Sequence, residues 1–206
     1  MTIVIGITGS SGSGKTTLAN YLQKIFDEDS VVISLDWFYK EVSSDGETYD
    51  WDSPAAFDFQ RLREVVEQLI KGEPAFVPGH DYSTYKKIEN MKKIEPRGII
   101  IIEGIMALHD PEIRKLYDKT VFINCDDDVC LGRRVIRDVE KRGYQIKFIV
   151  DRYFKFVKPA YKKYILPLMS NVDLIINNSK DNSESNFTAE LATLCAELAL
   201  LRDNEK

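Results

Sequence analysis

The run Gly9-Ser10-Ser11-Gly12-Ser13-Gly14-Lys15-Thr16 stands between an apolar stretch, Ile3-Val4-Ile5-Gly6-Ile7, and residues Leu18, Ala19, Leu22, Ile25 and Phe26, which recur at helical spacing. A G-x-x-x-x-G-K-[ST] sequence that leaves a strand and opens a helix constrains fold and chemistry together. Its glycines strip side chains from the turn, so that successive backbone N–H groups can line one anion-binding hollow. The helix behind adds the positive end of its dipole. In such a loop Lys15 reaches the β- and γ-phosphates of a nucleoside triphosphate, and the Thr16 hydroxyl holds Mg²⁺. Gly9, Ser10, Ser11, Gly12, Ser13, Gly14 and Thr17 complete this nucleotide-binding set. The competing reading, a flexible Gly/Ser linker, does not account for the flanking strand and helix.

Four further stretches, 31–35, 98–102, 120–124 and 172–176, resemble 3–8 in being short, Val/Ile-rich and apolar throughout. Unbroken apolar runs of this length are the mark of parallel strands buried on both faces. Between them, 60–71 places Leu62, Val65, Val66, Leu69 and Ile70 on one helical stripe, and 183–202 does the same with Phe187, Leu191, Leu194, Cys195 and Leu198. The alternation predicts an α/β fold of three layers, a P-loop NTPase architecture with a mostly parallel sheet. The 206 residues are expected to form one domain, 1–206. Pro74, Pro78, Gly79 and Pro96 break the pattern across 73–96. This segment reads as an inserted β-hairpin, with short runs around 75–77 and 92–95 and a loop at 79–91.

The 28 Lys and Arg against 33 Asp and Glu give a net charge of −5, which argues against nucleic acid as the main partner. Cys125, Cys130 and Cys195 show no metal-ligand spacing and no even pairing, which points to a reducing compartment. The longest apolar run, near Ile99–Ile102, is too short to span a membrane, and no targeting segment precedes the first strand. A cytoplasmic protein without a membrane partner is expected.

In open parallel sheets, ligands sit beyond the carboxyl ends of the strands. Asp36 follows such an end, where a carboxylate could take a proton from a hydroxyl attacking a γ-phosphate. Taken alone, an aspartate there is more often a turn or cap residue. Glu103 ends Ile99-Ile100-Ile101-Ile102 and precedes Gly104, as does an acidic group that helps to hold Mg²⁺; the phosphate loop gives this position its weight. The tract 131–143 reads as a helix ending at Gly143. Arg133, Arg134, Arg137 and Lys141 fall within about 100° of one another, with Leu131, Val135, Ile136 and Val139 on the other side. A solvated face is the ordinary explanation of such a stripe. A lid, about 133–153, that closes cations over phosphates explains it better, because cations around the transferred group supply much of phosphoryl-transfer catalysis. Trp37, Phe38, Tyr39, Tyr49, Trp51, Phe57, Tyr82 and Tyr85 gather on non-helical segments, as a stacked base would need, and Asp52 is available to a ribose diol.

Taken together, Asp36-Trp-Phe-Tyr39, Tyr49-Asp-Trp-Asp52-Ser-Pro54-Ala-Ala-Phe57, Glu103-Gly-Ile105 and Arg133-Arg-Val-Ile-Arg-Asp-Val-Glu-Lys-Arg-Gly143 resemble the uridine–cytidine kinase family. So does Tyr153-Phe-Lys-Phe-Val-Lys-Pro-Ala160, and the likeness runs from Ile3 to about Asn182. It implies transfer of the γ-phosphoryl group of ATP or GTP to the 5′-hydroxyl of a pyrimidine nucleoside. Asp36 would be the base, with Lys15, Arg134 and Arg137 also catalytic. Thr16 and Glu103 would serve Mg²⁺. Asp52 and Arg134 would bind the ribose, Arg137 and Arg142 the phosphates, and Asp181 would lie beside the donor's base. Tyr39, His80, Tyr82, Tyr85, Ile105, Tyr144 and Arg152 complete the substrate-binding set. The partners implied are small molecules and further copies of the chain, a homotetramer.

The departures lie around the acceptor base. The family's hairpin reads Tyr-Asp-Phe-x-x-His; here it is His80-Asp81-Tyr82-Ser83-Thr84-Tyr85. Tyr85 therefore stands for the histidine facing the pyrimidine 4-position, Tyr144 for an arginine facing the base and Arg152 for a lid glutamine. A histidine or a tyrosine can donate or accept, so the choice of base stays open. Kinases of other hydroxylated acceptors, such as nicotinamide riboside, and a non-catalytic nucleotide sensor are the rival readings. A GTPase is disfavoured, since Asn178-Ser179-Lys180-Asp181 lacks the Asn-Lys-x-Asp order.

Overall fold

Alternate residues of each central strand feed opposite faces of one sheet, and that alternation sets the layers. The computed structural model describes residues 2–42, 48–82, 84–179 and 188–203. Its strands are β1 Ile3–Gly9, β2 Ser30–Ser34, β3 Ala75–Asp81, β4 Lys86–Ile94, β5 Ile99–Glu103, β6 Lys119–Asn124 and β7 Leu174–Asn177. Among the described residues, five of these form a parallel sheet in the order β2-β5-β1-β6-β7. Ile3, Ile5, Ile7, Ile99, Ile101, Val121 and Ile123 face helix α1 (Lys15–Phe26) and helix α7 (Thr188–Asp203), meeting Leu18, Leu22, Leu194 and Leu198. Val4, Ile33, Ile100, Ile102 and Phe122 face α2 (Phe59–Ile70) and α3 (Pro111–Arg114), meeting Leu62, Val65, Val66, Leu69 and Ile113. Each large side chain buried in these two cores contributes about 1.5–3 kcal/mol. The three-layer expectation therefore holds, with the predicted stripes trimmed at their ends: Ile25 and Ile70 are exposed. Of the predicted C-terminal helix, α7 covers 188–203 and Phe187 lies outside the described residues.

The helix starts differ in a way that matters. Asp58 caps α2 by accepting from the Arg61 N–H, and Asp110 caps α3 in the same manner. By contrast, α1 has no side-chain cap. Its first N–H groups remain available to an anion.

β3 and β4 pair antiparallel, from Ala75↔Ile94 to Asp81↔Lys86, with a register shift between Val77 and Gly79. The expected hairpin is present, but a loop at 79–91 is not. The ladder resumes beyond Pro78, with Gly79↔Ile88, His80↔Lys87 and Asp81↔Lys86 paired. A proline without an N–H donor sits where the ladder is already interrupted, so Pro78-Gly79 makes a bulge and does not end the strands.

Helix α4 (Asp127–Arg142) closes at Gly143, whose φ of 68° and N–H to Asp138 and Val139 carbonyls form the expected C-terminal turn. Helix α5 (Ile146–Arg152) follows, and helical turns continue through α6 (Lys158–Ala160) to Ile165, with Tyr153, Val157, Tyr161 and Ile165 buried as anchors. Gly132 lies within α4, and a Cβ there would meet nothing within 4 Å. Gly132→Ala is therefore expected to stabilise the fold by about 0.5–1 kcal/mol, a rise of about 1–4 °C in Tm. Calorimetry should show this with unchanged turnover, and a fall in Tm would contradict the open surroundings of Gly132.

Candidate active site

Strand order builds the site. β2, β5 and β1 are neighbours, and Glu103 at the end of β5 pairs in register with Ser34 of β2 and Ile7 of β1. Thr16 opens the helix after β1 and Asp36 lies just beyond β2, so the sheet brings three widely separated sequence positions to one edge. Thr16 Oγ1 donates to Glu103 Oε2 at 3.2 Å. Asp36 sits in the turn Leu35–Phe38, its N–H reaching Ser34 Oγ at 3.4 Å. Lys15 is buried, and Nζ donates to the Ser10 carbonyl at 2.8 Å. Burial pulls the Lys15 pKa down, against the opposing charges of Glu103 and Asp36. Burial likewise pushes Glu103 above the ordinary glutamate value of 4.5, reinforced by Asp36 and opposed by Lys15, Ser34 and Thr16.

A hydroxyl and a carboxylate side by side fit Mg²⁺, which takes one or two protein oxygens and completes its shell with phosphates and water. Among the described residues no group of three or more His, Cys, Asp or Glu could hold a metal. A metal at Thr16 and Glu103 would therefore depend on phosphate oxygens.

These groups line an open cavity. Its remaining walls come from the hairpin, the segment after β2, and α4 and α5. Tyr82 Oη donates to Asp36 Oδ2 at 3.2 Å. The Arg142 guanidinium lies 4.5 Å from the Tyr82 ring centre. Tyr39 stacks on Phe57 at 4.5 Å, and Trp51 meets Tyr39 edge-on at 5.2 Å and His80 at 4.9 Å. Tyr85, at a φ of 56°, stacks on Trp51 at 5.8 Å. A left-handed conformation in a bulky residue is strained, and such strain concentrates at functional sites. His80 Nδ1 is buried and has no hydrogen-bond partner among the described residues. Burial lowers the His80 pKa, despite Asp36 and Asp81, and so favours the neutral imidazole. Asp52 is buried, which raises its carboxyl pKa, with Arg134 and Arg152 pulling the other way. Arg134 Nη1 donates to Ser11 Oγ at 2.9 Å, tying α4 to the phosphate loop, and Arg152 Nη2 reaches the Tyr49 carbonyl at 2.9 Å.

Ser11, Lys15, Thr16, Asp36, Tyr39, Asp52, His80, Tyr82, Tyr85, Glu103, Ile105, Arg134, Arg137, Arg142, Tyr144 and Arg152 thus share one cavity, although the sequence spreads them over more than a hundred positions. Gly9, Ser10, Gly12, Ser13, Gly14 and Thr17 are not among its walls, and Asp181 lies outside the described residues. The expected four-cation stripe is corrected. Arg134, Arg137 and Arg142 face the cavity, whereas Arg133 Nη1 donates to the Asn178 carbonyl at 3.0 Å and Lys141 is exposed. Residues 134, 138 and 142 follow one i, i+4 row, and position 133 lies about 100° off it. Trp51, Asp138, Phe148 and Ile149 also line the cavity. Trp51 was visible in the aromatic cluster; Phe148 and Ile149 carry no sequence signal that separates them from core.

Residues 4–185 match the model of the phosphoribulokinase / uridine kinase family. The chain is 37% identical over 185 residues to a uridine kinase of Clostridium perfringens, covering 87% of this chain and 89% of that protein. It is 38% identical over 185 residues to uridine kinase-like protein 3 of Arabidopsis thaliana, covering 87% of this chain. There it spans only about 40% of the relative's length. Phosphoribulokinase from Rhodobacter spheroides shares the fold, with a TM-score of 0.61 at 17% identity over 85% of this chain and 70% of that one. A P-loop kinase fold, a site at the carboxyl edge of its sheet and sequence identity over most of the length lead to one conclusion: the chain belongs to the phosphoribulokinase / uridine kinase family.

Proposed function

We propose that the protein transfers the γ-phosphoryl group of ATP or GTP to the 5′-hydroxyl of uridine, cytidine or both, yielding UMP or CMP for pyrimidine salvage in the cytoplasm. The observation that carries this reading is the shared cavity: Lys15 and Thr16 of the phosphate loop line it together with Asp36, Asp52 and an aromatic box. Asp36 would take the hydroxyl proton as that oxygen attacks the γ-phosphorus and the bond to the bridging β-oxygen breaks. Tyr82 occupies Oδ2 of Asp36, which leaves Oδ1 for the substrate proton. Burial, with the Asp36 charge beside it, holds the Tyr82 phenol well above its ordinary range, so it remains a donor near neutral pH. Lys15, Arg134, Arg137 and Arg142 would offset charge on the transferred group. Thr16 and Glu103 would hold Mg²⁺, which would supply further charge neutralisation at the phosphates. Asp52 would accept from the ribose hydroxyls, and His80, Tyr85 and Tyr144 would meet the base. Nucleoside and triphosphate are the partners in this reading, with a homotetramer as the assembly.

Measuring kcat/KM for uridine, cytidine and nicotinamide riboside with ATP and with GTP tests the acceptor. A pyrimidine nucleoside should lead, and a clear lead for nicotinamide riboside would displace the proposal. The pH profile tests Glu103. Its raised pKa keeps it protonated to a higher pH than an ordinary glutamate, so activity needing the carboxylate falls as pH drops through that raised value. A bound cation favours the carboxylate. Raising Mg²⁺ from limiting to saturating should therefore move the acid limb of kcat/KM to lower pH. A limb unmoved by Mg²⁺ would remove Glu103 from the metal.

A further inference from the structure

Asp138 is an aspartate in the middle of a helix, its side chain only 2% exposed, on the face of α4 turned toward the cavity. Mid-helix aspartate is a poor helix former, and a buried carboxylate persists only when it is paired. Here it is paired three times. Oδ1 receives Arg137 Nε at 2.8 Å and Arg142 Nη1 at 3.3 Å, and Oδ2 lies 3.5 Å from Arg134 Nε. The spacing explains two of the three contacts: Arg134 and Arg142 stand one turn before and one turn after Asp138, whereas Arg137 reaches it from the adjacent position.

The same three arginines are the α4 cations that line the cavity. Arg137 engages Asp138 through Nε, so its terminal nitrogens are left to the cavity. Arg142 engages it through Nη1 while its guanidinium lies over the ring of Tyr82, whose hydroxyl binds Asp36. Arg134 combines the Asp138 contact with its hydrogen bond to Ser11 of the phosphate loop. One carboxylate therefore accepts a hydrogen bond from Arg137, ion-pairs with Arg134 and Arg142, and partly offsets the mutual repulsion of the three guanidinium groups.

Building on the phosphoryl-transfer reading above, we infer that Asp138 is a positioning residue, which holds Arg134, Arg137 and Arg142 in the orientation that meets the transferring phosphoryl group. It acts through the arginines, so its worth lies in their geometry at the transition state. Loose arginines still attract a triphosphate, but they stabilise the transferring group only when correctly placed.

The test is a double-mutant cycle. Asp138→Asn keeps the size and removes the charge. It should lower kcat about 10- to 100-fold, with the nucleoside KM and the donor Kd each within about threefold of wild type. In an Arg137→Gln, Arg142→Gln background, the same change should cost less than about threefold, because two of the three groups it orients are gone. Equal costs in both backgrounds, or an unchanged kcat in the single variant, would overturn the inference. Thermal melting checks folding. Should Asp138→Asn fail to fold, Asp138→Glu serves in the same cycle, since it keeps the charge and displaces it by one methylene. Its cost should be smaller than that of asparagine and should also vanish without the two arginines. A wild-type enzyme that phosphorylates no nucleoside would fault the functional reading; turnover that is indifferent to Asp138 would fault this inference alone.

Discussion

Asp36→Asn should lower kcat by about 10²- to 10⁴-fold, the range expected for loss of a general base, while donor binding stays within about twofold. The substitution is nearly isosteric and preserves the turn, because the hydrogen bond to Ser34 Oγ is made by the Asp36 backbone N–H. Tyr82 can still donate to the amide oxygen in place of Oδ2. What disappears is an acceptor able to carry the substrate proton. Lys15 and Thr16 stay in place, so ATP titration should report nearly unchanged affinity as turnover collapses. Parallel losses in turnover and donor binding would mean that Asp36 shapes the cavity and does not act as the base.

Gly12→Ala should weaken donor binding by about 10²-fold, the scale of a misplacement of about 1 Å, and lower Tm as well. Gly12 has a φ of 89°, and a Cβ there would lie 2.4 Å from the backbone carbonyl oxygen of Cys130. The positive φ alone costs an L-residue about 1–2 kcal/mol. The contact is with backbone in the first turn of α4, so no side chain can swing aside. Either the phosphate loop retreats from α4 and its N–H groups lose their aim, or α4 shifts and carries Arg134 with it. Calorimetry and ATP titration of the variant read both effects. Wild-type affinity at wild-type Tm would show that the loop and α4 are less tightly packed than the structure places them.

The fold was legible where local pattern and tertiary role coincide. Strands buried on both faces must be apolar throughout, and Ile99–Ile102 is. Local pattern failed where tertiary context reversed its usual sense. Pro78-Gly79 reads as the end of a strand, but pairing continues around it as a bulge. The periodicity of 131–143 separated a charged face from an apolar one, and the ordinary rule would turn the apolar face inward. The structure does the opposite: Ile136 and Val139 are 55% and 39% exposed, and Arg134, Arg137 and Arg142 line the cavity. A helix that covers an anion site has its polar face on the inside. The site's ionisable residues were visible in sequence because Asp36 and Glu103 follow apolar strand runs and Asp52, Arg134, Arg137 and Arg142 stand in the tracts that carry the family resemblance. Phe148 and Ile149 were not, since an aromatic or aliphatic wall looks like core until the cavity is seen. The unpartnered Nδ1 of His80 depends on the packing of Tyr39, Trp51 and Tyr82 around the ring, which no spacing encodes.

The central claim is that one cavity joins a triphosphate donor to a nucleoside 5′-hydroxyl through Asp36. Incubating the full chain with Mg·ATP and a panel of ribonucleosides, then detecting products by mass, tests it most directly. The account predicts a 5′-monophosphate of uridine or cytidine, formed with stoichiometric ADP and absent from the Asp36→Asn reaction. No monophosphate from any nucleoside, with ATP or with GTP, would contradict it.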